Sequence, residues 1–271
     1  MSLESHFSIF ENPRHVWAVS AIHGETDRLC AVHEMIGQKF TPGDRIVYLG
    51  NYSGGSGHRT VNTINELLGF RRSVMAIPGV KSDDIVYLRG THEEMWHKIL
   101  QIQFAPSPAA VIEWMVNKGV EGALSAYGST AAEALRAARE GIMSMTRWTS
   151  RLREGVRLIP GHEKFFTVLR RAAISEDKNS GHNLLFVHAG VDPSRPLAAQ
   201  GDSFWWGGRD FDKMDTPYAP FTCVIRGYDP ERGGLRINAA TISLDDGAGY
   251  GGDLVAAKIA ANGDVVELLR A

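Results

Sequence analysis

Cysteine is scarce in this chain: only Cys30 and Cys223 occur among 271 residues. They stand far apart with no Cys-x-x-Cys pair, which excludes a disulfide scaffold and a cysteine-based zinc ribbon. Cys30 falls on the apolar side of a helical pattern and Cys223 in a strand-like run, so both are expected as buried thiols of a reducing cytoplasm. A surplus of either charge is also lacking. The 29 basic residues nearly cancel the 31 acidic ones, giving a formal net charge of -2. Such a balance offers no basic field for nucleic acid and no solvating acidic tail. No apolar run approaches the roughly 20 residues that cross a bilayer. Residues 1–12 lack the basic-then-apolar order of a signal peptide, and 1–13 are expected as an N-terminal extension or tag remnant. Neither a membrane nor a nucleic acid is an expected partner.

What is present is ordinary globular material, 44% hydrophobic and 22% charged, enough for one large core or two small ones. Short β-branched runs at 15–19, 45–49 and 85–88 alternate with helical periods at 26–36, at 59–68 and from about Glu93 onward. Strand, loop and helix in that rhythm predict a parallel sheet with crossover helices. From about 105 to 175 the pattern turns helical and alanine-rich, with Ser129 placed to cap a helix over 130–151 and Pro160 to start another. Strand character resumes at 184–187 and recurs at 221–225, 235–237, 241–244, 254–259 and 265–269. The turns between these later strands are short, so antiparallel pairing is expected among them.

The strand-like runs end in small or polar residues, and five carry a group able to bind or transfer something: His23, Asn51, His92, His188 and Tyr228. In open α/β sheets, ligands collect just past the carboxyl ends of the strands, so these five are expected to converge on one cleft. The loop Gly54-Gly55-Ser56-Gly57 lacks the lysine of a P-loop and the full dinucleotide fingerprint, and is expected as a flexible turn. Trp114, Trp205 and Trp206 either line a pocket under the insertion or pack as core. Arg226 and Arg209 are candidate phosphate grips that need no metal, with an ordinary salt bridge as the alternative for Arg226.

Those residues, in unbroken order over about 14–270, resemble the calcineurin-like metallophosphoesterases. The likeness is strongest to the bacterial branch related to Ser/Thr protein phosphatases and diadenosine-tetraphosphate hydrolases. The family motifs GDxHG, GDxxDRG, GNHE, a central His after a strand and a late GH have counterparts at 20–24, 50–55, 90–93, His188 and Gly227-Tyr228. Residues 245–252 resemble the family's closing DTGAxxGG run, and Pro160, His162 and Phe165 its helical cap. The resemblance implies one α/β domain over 14–270, a four-layer αββα sandwich of two mixed sheets with a helical cap at about 105–175. It also implies two divalent ions at the strand ends, bridged by an activated water.

Position by position, the ligands depart from that pattern. Ala21 stands at the first Asp, Asn51 at the bridging Asp, Thr91 at the Asn ligand and Tyr228 at the late His, while Gly54-Gly55 replace Asp-Arg. His23 and His188, with the amide of Asn51, are the metal ligands that remain. His92 occupies the position of the general acid. Two dications with no anionic protein ligand would repel one another in a low-dielectric cleft. Rescue by Glu25, Asp27, Asp229, Asp245 or Asp246 is a rival, although each also suits a helix start or a turn. The expectation is therefore a degenerate site: a pseudophosphatase without a resident cofactor that binds a phosphorylated small molecule or a phosphoprotein, Asn51 and Arg226 holding the phosphate. The alternative is an active phosphoester hydrolase using a single Mn, Zn or Fe, with His92 as general acid.

Overall fold

The computed structural model describes residues 6–208 and 210–271; Arg209 and residues 1–5 lie outside it. In chain order the elements are β1 (Phe7–Glu11), β2 (His15–Val19), α1 (Thr26–Lys39), β3 (Arg45–Tyr48), α2 (Gly57–Met75), β4 (Ile85–Tyr87) and α3 (Thr91–Ile99). Four helices follow, α4 (Pro108–Asn117), α5 (Glu121–Ala126), α6 (Ala131–Glu140) and α7 (Ile142–Arg157), then α8 (His162–Val168). The rest is β5 (Ala172–Glu176), β6 (Asn183–Val187), α9 (Ser203–Trp206), β7 (Cys223–Arg226), β8 (Arg236–Ile237), β9 (Thr241–Ser243), β10 (Val255–Ala260) and β11 (Val265–Arg270).

The strands form two mixed sheets, ordered β1-β5-β6-β7-β9-β8 and β11-β10-β2-β3-β4. Both faces of the central strands are apolar because both are covered. Residues alternate: Val16, Ala18, Val47 and Leu49 point to the core between the sheets, where they meet Phe186, Ile225 and Ile242. Their neighbours Trp17, Val19, Ile46 and Tyr48 point outward onto α1, α2 and α8. The outer face of the other sheet is covered by Phe204, Trp205, Phe211 and Phe221, from α9 and the surrounding loops. The expected layering of helices, sheet and sheet is present, and its fourth layer is thin, made of α9 and short helical turns. Among the described residues no helix is long and apolar enough to cross a membrane.

The helical insertion keeps its own core, in which Trp148 and Leu152 of α7 pack on Ile112, Leu124 and Trp96. The helix expected over 130–151 is two helices, broken at Gly141, whose φ of 99° ends α6 and opens α7. Helix α8 belongs with the body, because Phe165 packs against Tyr52 and Tyr87. Two further corrections come from the sheet edge. Residues expected as an N-terminal extension include β1, which pairs in parallel with β5 from Phe7↔Ala172 to Glu11↔Glu176. Strand β5 itself lies inside the stretch expected to be helical. The later strands are only partly antiparallel: β10–β11 and β8–β9 are, whereas β7–β9 is parallel. Cys30 and Cys223 are free, and Cys30 is only half-buried.

Helix α6 starts on a reciprocal cap, Glu133 N–H donating to Thr130 Oγ1 at 3.2 Å and Thr130 N–H to Glu133 Oε2 at 3.2 Å. Thr130→Ala should lower unfolding stability by about 1 kcal/mol in urea titrations, since it orphans a helix N-terminal donor. An unchanged midpoint would show that the cap helices melt independently of the body.

Candidate functional site

Val19 pairs with Tyr48 and Tyr48 with Tyr87, so the loops after β2, β3 and β4 leave the sheet side by side. His23 N–H donates to Asn51 O at 2.6 Å, and both residues sit in the left-handed region, at φ 53° and 54°. That conformation is unfavourable for non-glycine residues and persists where surrounding bonds over-determine it. From the other sheet, Gly227 and Tyr228 N–H both donate to His188 O. The five residues expected at the strand ends are thereby brought together. The His23 and His92 rings meet edge-on with centroids 5.3 Å apart, Tyr228 lies 5.6 Å from His23, and it stacks on His188 at 5.2 Å.

One carboxylate organises the cluster. Glu93, 2% exposed, accepts from Asn51 N–H (2.9 Å) and Gly90 N–H (3.0 Å) on Oε2. Its Oε1 accepts from Tyr52 N–H (2.9 Å) and, more loosely, Ser53 N–H (3.4 Å). Burial pushes this carboxyl's pKa up, against the pull of His92 and the N–H donors. Sequence reasoning missed this role, although a Glu at the third position of a helix is the signal of a capping residue.

The nitrogens and oxygens of the cluster are largely committed to one another. His92 Nδ1–H donates to Ser53 O at 2.6 Å, and His188 Nδ1–H to Leu49 O at 2.5 Å. These bonds turn both Nε2 lone pairs inward. That of His188 faces Thr91 Oγ1 at 3.1 Å, but the Thr91 hydroxyl donates to Trp205 O at 2.6 Å and has no second proton to give. Asn51 accepts His92 N–H on Oδ1 (3.0 Å), and its amide nitrogen faces His23 Nε2 at 3.3 Å. Burial pushes His188 down to about 3 and holds His23 well below its usual range, with His92, His188 and Arg232 adding to the effect on His23. These imidazoles are neutral. Burial also raises the Tyr228 phenol to about 12.

A pair of divalent ions does not fit these donors. The aligned ligand positions carry no carboxylate, Ala21 is buried with its N–H on Gly227 O, and Tyr228 covers His188 with a ring. Among the described residues no three His, Cys, Asp or Glu side chains come together as a metal-holding group. The carboxylates considered as rescuers are engaged elsewhere. Glu25 pairs with Arg59 (2.9 Å) and Asp246 with Arg270 (2.9 Å), while Asp27 is exposed in the first turn of α1. Asp245 accepts from Asp229 N–H and Gly247 N–H.

Arg226, expected as a phosphate grip, is a correction. It is 2% exposed and its guanidinium is paired to Asp212 (2.7 Å) and Asp229 (2.9 Å), with Nε on Ser243 Oγ. The ordinary ion pair, here buried, is its role. Asn51, the other expected phosphate contact, has both amide atoms engaged within the cluster. Arg209 lies outside the described residues. The cation that does face the cluster is Arg232, exposed, stacked 3.8 Å from the centroid of Tyr250, whose ring lies 5.3 Å from His23. It makes no ion pair with any described residue. It stands in an ordinary-looking turn, and the sequence carries no signal for it.

The glycine loop is packed, not flexible. A Cβ on Gly54 would fall 2.2 Å from His23 O, and cap residue Gly122 lies so close that its own Cβ would fall 2.9 Å from Gly55 O. At the position where the resemblance calls for Asp, no side chain fits. The cap also closes over His92: Gly119 Cα is so near that a Cβ there would lie 3.2 Å from His92 Nε2. Of the three tryptophans, Trp205 is buried in the core, and Trp114 packs on Trp206 with centroids 5.1 Å apart.

Two mixed sheets with loops converging at the strand ends have close counterparts among solved structures. A candidate diadenosine tetraphosphatase superposes with a TM-score of 0.50 at 17% identity, covering 98% of this chain and 97% of the other. A protein serine/threonine phosphatase from Saccharomyces cerevisiae, similar to human phosphatase PP5, gives 0.52 at 14% identity, covering 98% and 84%. The fold is theirs. It is the metallophosphoesterase fold, as the resemblance implied. No protein-family profile and no curated protein matches the sequence.

The neutral imidazoles fix a pH dependence. Unfolded, a histidine takes its proton below about 6.5, whereas folded His188 does so only near 3. Between those values the unfolded chain binds more protons, so stability must fall as pH drops through that window. His188→Gln should lose stability at neutral pH yet show a shallower decline from about pH 7 to about pH 4 in urea midpoints. An equal slope in both proteins would mean His188 is already charged when folded.

Proposed function

We propose that this chain is a metallophosphoesterase-like protein that has left two-metal hydrolysis and binds a phosphorylated small molecule or phosphoprotein at the strand ends. The observation that carries the reading is the donor set: His23 beside the Asn51 amide, and His92 and His188 anchored through Nδ1 on the Ser53 and Leu49 carbonyls, with no carboxylate at the aligned ligand positions. Losing even one outer partner of a metal ligand typically lowers affinity or activity about 10–100-fold, and here four ligand positions differ. The packing at Gly54 supports the same conclusion, because a Cβ there would fall 2.2 Å from His23 O and leaves no room for the Asp that the resemblance places at that position. The binding cation is Arg232, with Tyr228 O–H and His23 as neutral partners. The two free thiols suit a cytoplasmic protein.

Elemental analysis of protein purified without chelator, with p-nitrophenyl phosphate turnover in added Mn, Ni, Zn or Mg, tests the loss of hydrolysis. The expected result is substoichiometric metal and no turnover above that of His92→Ala. Stoichiometric metal with turnover abolished by His92→Ala would establish the single-metal hydrolase instead. For the binding arm, Arg232→Ala should weaken phosphoserine binding about tenfold, the worth of a charge-assisted contact. Unaltered binding would remove Arg232 from the site.

Repair tests the mapping itself. The variant carrying Ala21→Asp, Asn51→Asp, Thr91→Asn and Tyr228→His should take up Mn, since the strand ends still converge. A well-folded variant that takes up none would show that the aligned positions do not share one centre.

A further inference from the structure

A second cavity, of about 440 Å³, opens between α2, α8 and β4, the edge strand of its sheet. It is distinct from the histidine cluster: the cluster forms beyond the carboxyl end of β4, whereas this cavity runs from Ser82 along Ile85 to Tyr87. Its floor is apolar and aromatic, with Leu68, Tyr87 and the buried ring of Phe165. Met75 and Val168, 41% and 38% exposed, continue that apolar surface to the mouth.

The rim is cationic. Arg71, Arg72 and Lys164 line it, and none makes an ion pair with any described residue. Arg71 spends both Nη groups on a neutral acceptor, Ser82 O, at 3.3 and 3.2 Å. The lining holds one acid, Asp83, which accepts from the Ser82 hydroxyl at 3.0 Å. In a chain of net charge -2 this is a local concentration of positive charge, not a general excess. Cations gathered at an apolar mouth repel one another until an anion settles among them.

We infer that this cavity is a binding site for a small organic polyanion, its aromatic or branched apolar body on the floor and its charged groups among Arg71, Arg72 and Lys164. The volume lies within the roughly 300–1,000 Å³ of small-molecule sites, and an apolar lining with a few placed charges is their usual make-up. The apolar floor requires a body that inorganic phosphate lacks. The rim requires more than one negative charge.

Calorimetric titration of the full chain with naphthalene-1-sulfonate and naphthalene-1,3,6-trisulfonate separates body from charge. The trisulfonate should bind at least about tenfold more tightly than the monosulfonate, from added charge-assisted contacts. Arg72→Glu combined with Lys164→Glu should erase that difference; both positions are exposed, and circular dichroism checks that the variant folds. Arg232→Ala, which strips the strand-end cluster of its cation, should leave trisulfonate binding unchanged. Equal affinity for the two probes, no binding of either, undiminished binding by the doubly reversed variant, or loss with Arg232→Ala would each overturn the inference. Failure of these probes while Arg232→Ala still weakens phosphoserine binding would leave the cluster's own function standing.

Discussion

The buried carboxylate of Glu93 is the constraint on which the strand-end cluster depends. It sits at the start of α3 and takes N–H donors from Gly90 of its own segment and from Asn51, Tyr52 and Ser53 of the loop after β3. Four charge-assisted bonds to one group offset the desolvation of a carboxylate that would otherwise be costly to bury. In doing so they fix two loops relative to one another, and everything between them inherits that placement. Asn51 is held in a left-handed backbone conformation and its Oδ1 meets His92 N–H; Ser53 O meets His92 Nδ1. The geometry of the histidines is thus set from behind by a negative charge that never reaches the cleft.

The cap is the second constraint, and it acts against the chemistry that the fold otherwise invites. Gly54, Gly57, Gly119 and Gly122 let two loops, α2 and α5 approach backbone to backbone, with Gly57 so close that a Cβ would meet Ala126 N at 2.4 Å. Contact this close leaves no room for a side chain at Gly54, where the backbone of His23 already lies, while Gly55 beside it stays exposed. The cap also rests over His92 Nε2. The Nε2 lone pair in that position is enclosed, and the open side of the cluster is the one bordered by Tyr228, Tyr250 and Arg232.

Much of this was legible in the sequence because the signals are local. The runs at 15–19, 45–49 and 85–88 carry the apolar pattern of strands covered on both faces, and the small or polar residues that follow them mark the loops. The convergence of His23, Asn51, His92, His188 and Tyr228 follows from that topology. What was illegible depends on distant partners. Arg226 looked like a phosphate grip at a strand end, but Asp212 and Asp229 claim it, and no local rule foretells a buried ion pair. Ala172–Glu176 has two alanines and a serine where a strand would show β-branched residues, and its identity comes from pairing with β1 and β6. The glycine loop was taken for flexibility because glycine permits it; here the same lack of a side chain permits close packing instead. Helix α6 and α7 read as one helix, since only Gly141 interrupts a strong helical composition.

The electrostatics of the cluster close the account. A paired-ion site balances cations against carboxylates, and removing only one side leaves an uncompensated charge in a dry cleft, which is strongly destabilising. In this chain the carboxylate side is missing at the aligned positions. Ala21 and Asn51 remove negative charge, burial holds His23 and His188 neutral, and Tyr228 stacks on His188 as an uncharged ring. The cluster is held by hydrogen bonds among its own groups and by the Glu93 carboxylate behind them. Its one exposed charge, Arg232, is left unmatched at the entrance. On the function proposed above, a hydrogen-bonded floor with Arg232 at its edge selects an anion, and the missing carboxylates leave water unactivated against it.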